Sequence, residues 1–174
     1  MAHQQQREDF RVEPLGKAHD RAAFSCGNEP LDNCLQKQAG QDVAKRMAVC
    51  FVLTPDGKTV AGYYTLSQYS VDLVKLPEEI AKKLPKYPEV PTPLLSRLAV
   101  SRRFRGQKLG EFLLMDALYR CLLQSKKIAS AAVIVDAKDE AAKRFYEHFE
   151  FVPLPATPHR LFLPVRTIEN LFRE

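Results

Sequence analysis

The run Leu98-Ala99-Val100-Ser101-Arg102-Arg103-Phe104-Arg105-Gly106-Gln107-Lys108-Leu109-Gly110 places the end of an apolar strand, a basic glycine-containing loop and the start of a long apolar helix in immediate succession. That order suits anion binding. The amides of a helix's first turn lack intrahelical partners, and the helix dipole adds partial positive charge there, so a pyrophosphate can seat against them with arginines assisting. Arg103, Arg105 and Lys108 offer the charge, and Gly106 and Gly110 let the backbone approach closely. The same fragment also fits a tight strand-to-helix turn with solvated arginines. No GxxxxG frame runs into GKS or GKT and no GxGxxG pattern occurs, which argues against ATP and NAD.

Charge distribution points to the same region. The 174 residues carry a formal net charge of +5, and the window Ser101 to Lys127 holds seven bases against two acids, so the whole excess sits there. Such a window faces an anion or forms a solvated helix face. Further bases at Lys37, Lys45, Arg46, Lys82, Lys83, Lys86 and Arg160 are available to track phosphates; of these, Lys37, Lys45, Arg46 and Arg160 are the candidates for contacting a nucleic acid.

The length and the 45% hydrophobic content suit one globular domain over residues 1–174, with residues 1–9 expected to be flexible. No apolar run approaches the roughly 20 residues that span a bilayer. The polar segment Met1 to Asp9 lacks a secretory core, so a cytoplasmic location without membrane contact is expected. Cys26, Cys34, Cys50 and Cys121 show neither CxxC pairing nor zinc spacing and are expected to be reduced core thiols, with no metal bound. His3, His19, His148 and His159 are read as surface histidines without a catalytic role.

The positioning elements follow from periodicity. Phe10 to Leu15 alternates as a strand, and Pro30 to Arg46 repeats at helical spacing behind Asn28 as N-cap. Met47 to Thr54 and Thr59 to Val71 flank the turn Pro55-Asp56-Gly57-Lys58 as an antiparallel hairpin. The five prolines between Leu76 and Pro93 mark a connector around a short amphipathic piece, Glu78 to Leu84. Leu94 to Val100 is a strand, Leu109 to Leu123 a buried helix and Ile128 to Val135 a buried strand. Asp136 with Asp139 resembles a capping box opening a helix to about Phe149. A hairpin of Phe151 to Leu154 with Arg160 to Leu163 precedes a short helix around Ile168 to Phe172. This order is a mixed α/β, or α+β, arrangement of one sheet covered by helices.

Arg105-Gly106-Gln107-Lys108-Leu109-Gly110 resembles the Arg/Gln-x-x-Gly-x-Gly/Ala loop with which the GNAT N-acetyltransferase superfamily holds the pyrophosphate of acetyl-coenzyme A, with Lys108 at the middle glycine. The segment from Ala141 to Phe151, with Ala-Lys-Arg-Phe-Tyr146-Glu-His-Phe-Glu-Phe, resembles the family's A-x-x-F-Y-x-x-x-G-F ending, with Glu150 at its glycine. A narrower resemblance covers almost the whole chain. Phe24-x-Cys26-Gly27-x-x-x-Leu31-Asp32 with Ala39-x-Gln41-Asp42, then Gly62-Tyr63-Tyr64-Thr65-Leu66-Ser67 and Leu98-Ala99-Val100, are similar to the GNAT toxins of bacterial toxin–antitoxin pairs. The resemblance implies a GNAT fold, a mostly antiparallel mixed sheet with helices on both faces and a splayed strand pair at the acetyl-CoA site. It also implies acetylation of the α-amino group of aminoacyl-tRNA, a ribbon-helix-helix antitoxin and a homodimer.

The same resemblance assigns Leu98, Ala99 and Val100 to pantetheine and the thioester carbonyl, Arg103, Arg105, Gly106, Gln107, Lys108, Leu109 and Gly110 to the cofactor, and Tyr146 to protonation of the departing sulfur. Read from periodicity alone, Tyr146 shares a helical stripe with Ala142, Phe145 and Phe149 and is equally a core tyrosine. Acyl transfer to a small amine or a protein amine, and non-catalytic binding of an acyl-coenzyme A, are the competing functions.

Overall fold

Buried side chains in the first long helical segment recur every four residues, at Leu31, Leu35 and Ala39. On a regular α-helix that spacing drifts by about 40° per step, because 3.6 residues complete a turn. In the computed structural model, which describes residues 9–173, the segment meets this drift with a wider turn. Helix α1 (Glu29–Asn33) runs into a π-helical stretch, Cys34–Gln38, and then into α2 (Ala39–Ala44). The regular helix expected over Pro30 to Arg46 is therefore interrupted. The expected cap is present, since the Asn28 side chain accepts from the Leu31 amide at 3.1 Å. The flexibility expected for residues 1–9 falls, apart from Asp9, outside the described residues.

The remaining elements are β1 (Arg11–Pro14), β2 (Val49–Thr54), β3 (Gly62–Asp72), α3 (Glu78–Ala81), β4 (Glu89–Val100), α4 (Leu109–Ser125), β5 (Ala132–Asp136), α5 (Glu140–His148), β6 (Val152–Pro153), β7 (Arg160–Pro164) and α6 (Val165–Leu171). Hydrogen-bonded neighbours follow the order β1-β2-β3-β4-β5-β7-β6. The β4–β5 pair is parallel. The pairs β1–β2, β2–β3, β5–β7 and β6–β7 are antiparallel. This is a mixed, mostly antiparallel sheet, as the resemblance implies. Among the described residues no helix is long and apolar enough to cross a membrane.

The chain divides into two compact units. One comprises the chain up to Ser67 together with Ser96–Ala117. Its core gathers Phe24, Leu31, Leu35, Ala39, Cys50, Val52, Val60, Tyr63 and Ala99, and the Tyr63 hydroxyl donates to the Leu31 carbonyl at 2.6 Å. The expected hairpin is β2 with β3, in register Val49 to Leu66 and Leu53 to Gly62.

The other unit comprises Gln68–Leu95 and Leu118–Glu174. Its core holds Val71, Leu76, Val90, Ala132, Ile134, Leu154 and Phe162. Two expectations are corrected here. Strand β4 begins at Glu89 rather than Leu94, passing through Pro91 and Pro93. The two prolines are two residues apart, so their missing N–H groups lie on one edge of the strand, before the pairs Leu94–Ile134 and Leu95–Val135. Asp136 does not open the helix: it ends β5, and Asp139 alone caps α5 by accepting from the Ala142 amide at 2.8 Å.

Candidate functional site

In the first unit, β4 delivers Leu98, Ala99 and Val100 into the basic loop, with Ala99 buried and its two neighbours partly so. Backbone bonds fix the loop's entry: the Ser101 amide donates to the Ala61 carbonyl and the Arg102 amide to the Ser25 carbonyl, both at 2.8 Å. A single 3-10 turn, Arg102–Phe104, follows. Two left-handed residues, Gly106 (φ 83°) and Lys108 (φ 56°), then redirect the chain into α4. The first α4 bond runs from the Phe112 amide to the Lys108 carbonyl at 3.2 Å. The amides at the start of α4 precede that bond and carry the helix's positive end. Arg103, Arg105, Gly106 and Lys108 are exposed, while Gln107 and Gly110 are half-buried and Leu109 is buried.

The charges of this loop are not all loose. The Arg105 Nη2 donates to the Cys26 carbonyl at 2.6 Å, and the Arg103 guanidinium lies 5.7 Å from the centre of the Phe104 ring. Phe104 in turn meets Phe10 edge-on. Arg105 thus ties the loop to Cys26 while staying exposed, a role the sequence alone did not suggest.

A cavity of about 330 Å³ lies in the same unit, lined by α1, the π-helical stretch, α2, β3 and β4. Lys37 lines it together with Cys34, Asp42, Thr65, Ser96 and Arg97. The Thr65 and Ser96 hydroxyls share a hydrogen bond of 2.9 Å inside it. Asp42 accepts from the Gln38 side chain at 2.9 Å. Lys45 and Arg46 do not line the cavity; they occupy the exposed turn after α2, where Arg46 is left-handed (φ 59°). Sequence reasoning missed Thr65, Ser96 and Arg97 as lining residues. Thr65 lay inside a quoted motif, but its partner is 31 residues away.

The histidine expected at the surface as His19 is instead buried in this unit. Its Nδ1 accepts from the Gly16 amide at 2.9 Å and its Nε2 contacts Glu13 Oε1 at 2.6 Å. The bond from Gly16 puts the proton on Nε2, which donates to Glu13. That bond, with a smaller one from Arg11, holds the Glu13 carboxyl below the usual carboxylate range. Among the cysteines, Cys26, Cys50 and Cys121 are buried thiols as expected, whereas Cys34 is partly exposed. Burial pushes the thiols of Cys50 and Cys121 up to about 12.

The second unit holds Tyr146 on α5. The tyrosine is 5% exposed, between Phe145 at 5.3 Å and Phe151 at 5.5 Å, measured between ring centres. Ala142, Phe145 and Phe149 are only partly buried, so the expected stripe reduces to Tyr146 as its one buried member. Among the described residues nothing hydrogen-bonds the Tyr146 hydroxyl. Burial raises the phenol above its ordinary value, and the Asp136 charge adds to the effect. Glu150, at the expected glycine, is left-handed (φ 71°) and ends α5. Arg160 is occupied within the unit. It donates to both Asp136 oxygens, at 2.8 and 3.1 Å, and to the Tyr69 hydroxyl at 2.6 Å. His159 pairs with Glu140 at 3.0 Å.

Comparison with known proteins places these features in context. The acetyltransferase (GNAT) domain family matches residues 46–153. The chain is similar to the tRNA-acetylating toxin of Mycobacterium tuberculosis, 38% identical over 157 residues that cover 90% of this chain and 93% of that protein. It is also similar to the probable toxin TacT of Sinorhizobium fredii, 34% identical over 169 residues that cover 92% and 93% of the two chains. Among solved structures, AtaT complexed with acetyl-methionyl-tRNAfMet matches with a TM-score of 0.87 and 29% identity, covering 94% of this chain and 99% of that one.

Proposed function

Because the chain belongs to the GNAT acetyltransferase family, we propose that it transfers the acetyl group of acetyl-coenzyme A to the α-amino group of aminoacyl-tRNA, and so acts as a translation-blocking toxin. The observation that carries this reading is the likeness to a tRNA-acetylating toxin over nine-tenths of the chain. The whole chain then works as one acetyltransferase domain in the cytoplasm, held in check by a ribbon-helix-helix antitoxin and assembled as a homodimer.

The chemistry asks for few groups. An α-amine titrates near pH 8, against about 10.4 for a lysine side chain, so about a tenth of the acceptor is neutral at pH 7 without a strong base, against well under a thousandth of a lysine. Its nitrogen attacks the thioester carbonyl carbon; the C–N bond forms, the C–S bond breaks and the amine proton passes to water. The first-turn amides of α4, with Arg103, Arg105, Gly106, Gln107, Lys108, Leu109 and Gly110, hold the pyrophosphate. Backbone groups of Leu98, Ala99 and Val100 hold pantetheine and polarise the carbonyl. Tyr146 gives its phenolic proton to the departing thiolate and is reprotonated from the water that took up the amine proton; the phenol is protonated at neutral pH, and burial raises its pKa further.

Labelled acetyl-coenzyme A incubated with a pool of charged tRNA tests the proposal, with deacylated tRNA as control. Label entering charged tRNA alone is expected. Label absent from tRNA but entering small amines or proteins would move the assignment to another amine, and binding without any turnover would leave a coenzyme-binding module.

A further inference from the structure

The cavity of the first unit meets β4 at Ser96 and Arg97, immediately before Leu98-Ala99-Val100, the stretch assigned to the thioester. A compartment that ends at the residue before that stretch is placed to receive the acceptor. Its volume of about 330 Å³ is at the low end for small-ligand sites, and its lining sorts into two chemistries.

The inner chemistry is a hydroxyl pair. Thr65 on β3 and Ser96 on β4 share one hydrogen bond of 2.9 Å, and Thr65 is 5% exposed. Two hydroxyls carry two donors and four lone pairs; their mutual bond uses one of each, leaving three lone pairs and one donor. A surplus of acceptors fits an amine, which arrives with N–H groups to satisfy. The second chemistry is cationic. Lys37 is exposed with no ion-pair partner among the described residues, and Arg97 is exposed with one guanidinium donor on the Ser96 carbonyl at 3.2 Å. The one carboxylate of the lining, Asp42, is tied to Gln38. An aminoacylated 3′ end carries both matching groups, an α-amine and, at the other side of the terminal ribose, a phosphodiester.

We propose that this cavity is the acceptor pocket, in which the Thr65–Ser96 hydroxyl pair receives the α-amine of the aminoacyl group and Lys37 and Arg97 hold the terminal phosphate of the tRNA. The assignment rests on the acceptor being aminoacyl-tRNA. It also bears on how the reaction proceeds without an assigned histidine or carboxylate base: hydroxyl lone pairs orient the neutral fraction of the amine, about a tenth at pH 7, and the nitrogen's own lone pair stays free to attack.

The test is steady-state kinetics on the full chain with charged tRNA and acetyl-coenzyme A varied in turn, for the wild type, Thr65→Val, Ser96→Ala and Lys37→Ala. Each hydroxyl variant is expected to lower kcat/KM for charged tRNA up to roughly tenfold, the range for one lost hydrogen bond, while the KM for acetyl-coenzyme A stays put. Lys37→Ala is expected to reduce the slope of log affinity against log salt by about 0.7, the release expected from one contact to single-stranded nucleic acid. Unchanged acetyl-coenzyme A affinity also shows that each variant is folded. A wild type active on charged tRNA with all three variants unaffected, or with equal losses toward the coenzyme, overturns the acceptor-pocket assignment alone. A wild type inert on charged tRNA overturns the functional reading and this assignment together.

Discussion

Arg105 and Cys26 are 79 residues apart in sequence, and a hydrogen bond of 2.6 Å from the Arg105 Nη2 to the Cys26 carbonyl joins them. The residue after Cys26 shows how close the fit is. Gly27 is left-handed (φ 88°), and a Cβ built there lies 2.8 Å from the Arg102 Nε and 3.0 Å from the Arg105 Nη2. Gly27→Ala must displace both arginine side chains and adopt a backbone conformation that costs an L-residue about 1 kcal/mol or more. We expect acetyl-coenzyme A affinity to fall several-fold, measured by calorimetric titration, with Arg105→Ala showing the same loss and Arg11→Ala, outside the loop, showing none. Full affinity in Gly27→Ala would mean that the arginines bind phosphate from positions independent of Cys26.

Lys108 and Glu150 stand where the family pattern has glycine, and both keep the glycine's backbone, at φ 56° and 71°. The fold has retained the left-handed turn at the start of α4 and the end of α5 while losing the residue that adopts it freely. Glu150→Gly is therefore expected to stabilise the protein by about 1 kcal/mol, raising the thermal midpoint by about 2–4 °C for a chain of this size. Lys108→Gly should give a similar stability gain but a weaker, less salt-dependent affinity for the coenzyme, because one exposed charge of the proposed phosphate site is gone. A fall in the midpoint for either variant would show that the side chain makes a contact outweighing the strain.

Local signals carried much of this. The Asn28 cap, the β2–β3 hairpin around Pro55 to Lys58 and the strand-loop-helix junction at Val100 to Leu109 all depend on residues within a few positions of one another. The failures share a cause. Pro91 and Pro93 read as breakers because nothing local tells that both fall on one edge of β4, ahead of its pairs with β5. The π-helical turn at Cys34–Gln38 answers to the core position of Leu31, Leu35 and Ala39 rather than to helix propensity. His19 looked exposed in a polar segment, yet Glu13 and Gly16 close around it. The Thr65–Ser96 pair is two unremarkable hydroxyls until β3 and β4 align them.

The hairpin turn offers a test by pH. The Asp56 Oδ1 accepts from the amides of Lys58 at 2.9 Å and Thr59 at 2.6 Å, and its Oδ2 accepts from the Thr59 hydroxyl at 2.8 Å. These bonds, the Lys58 amide first, hold the carboxyl well below its usual range. A carboxyl depressed in the folded state contributes stability that is complete above its unfolded value, about 3.9, and is lost as the pH falls toward the folded value. Asp56→Asn should therefore be less stable than the wild type at pH 7, with the gap narrowing below pH 4. Urea midpoints at pH 7 and pH 3 measure it, and a gap that stays constant would show that charge on Asp56 adds nothing to the turn.

Tyr146 combines a buried ring with a hydroxyl that no described residue occupies, so removing the oxygen leaves the packing of the ring in place. Tyr146→Phe is expected to lower kcat by roughly 10² to 10⁴, the range for loss of a general acid, with acetyl-coenzyme A affinity and thermal midpoint close to wild type. The pH profile separates this role from a structural one. Burial, and then the Asp136 charge, raise the phenol's pKa, so the protonated form persists to higher pH than in a free tyrosine, which titrates near 10. The wild-type rate should show no alkaline loss attributable to tyrosine up to pH 10. Asp136→Asn, which removes the second of the two causes, should move any such loss to lower pH. Turnover in Tyr146→Phe equal to wild type at every pH would mean that another group, or water, protonates the thiolate.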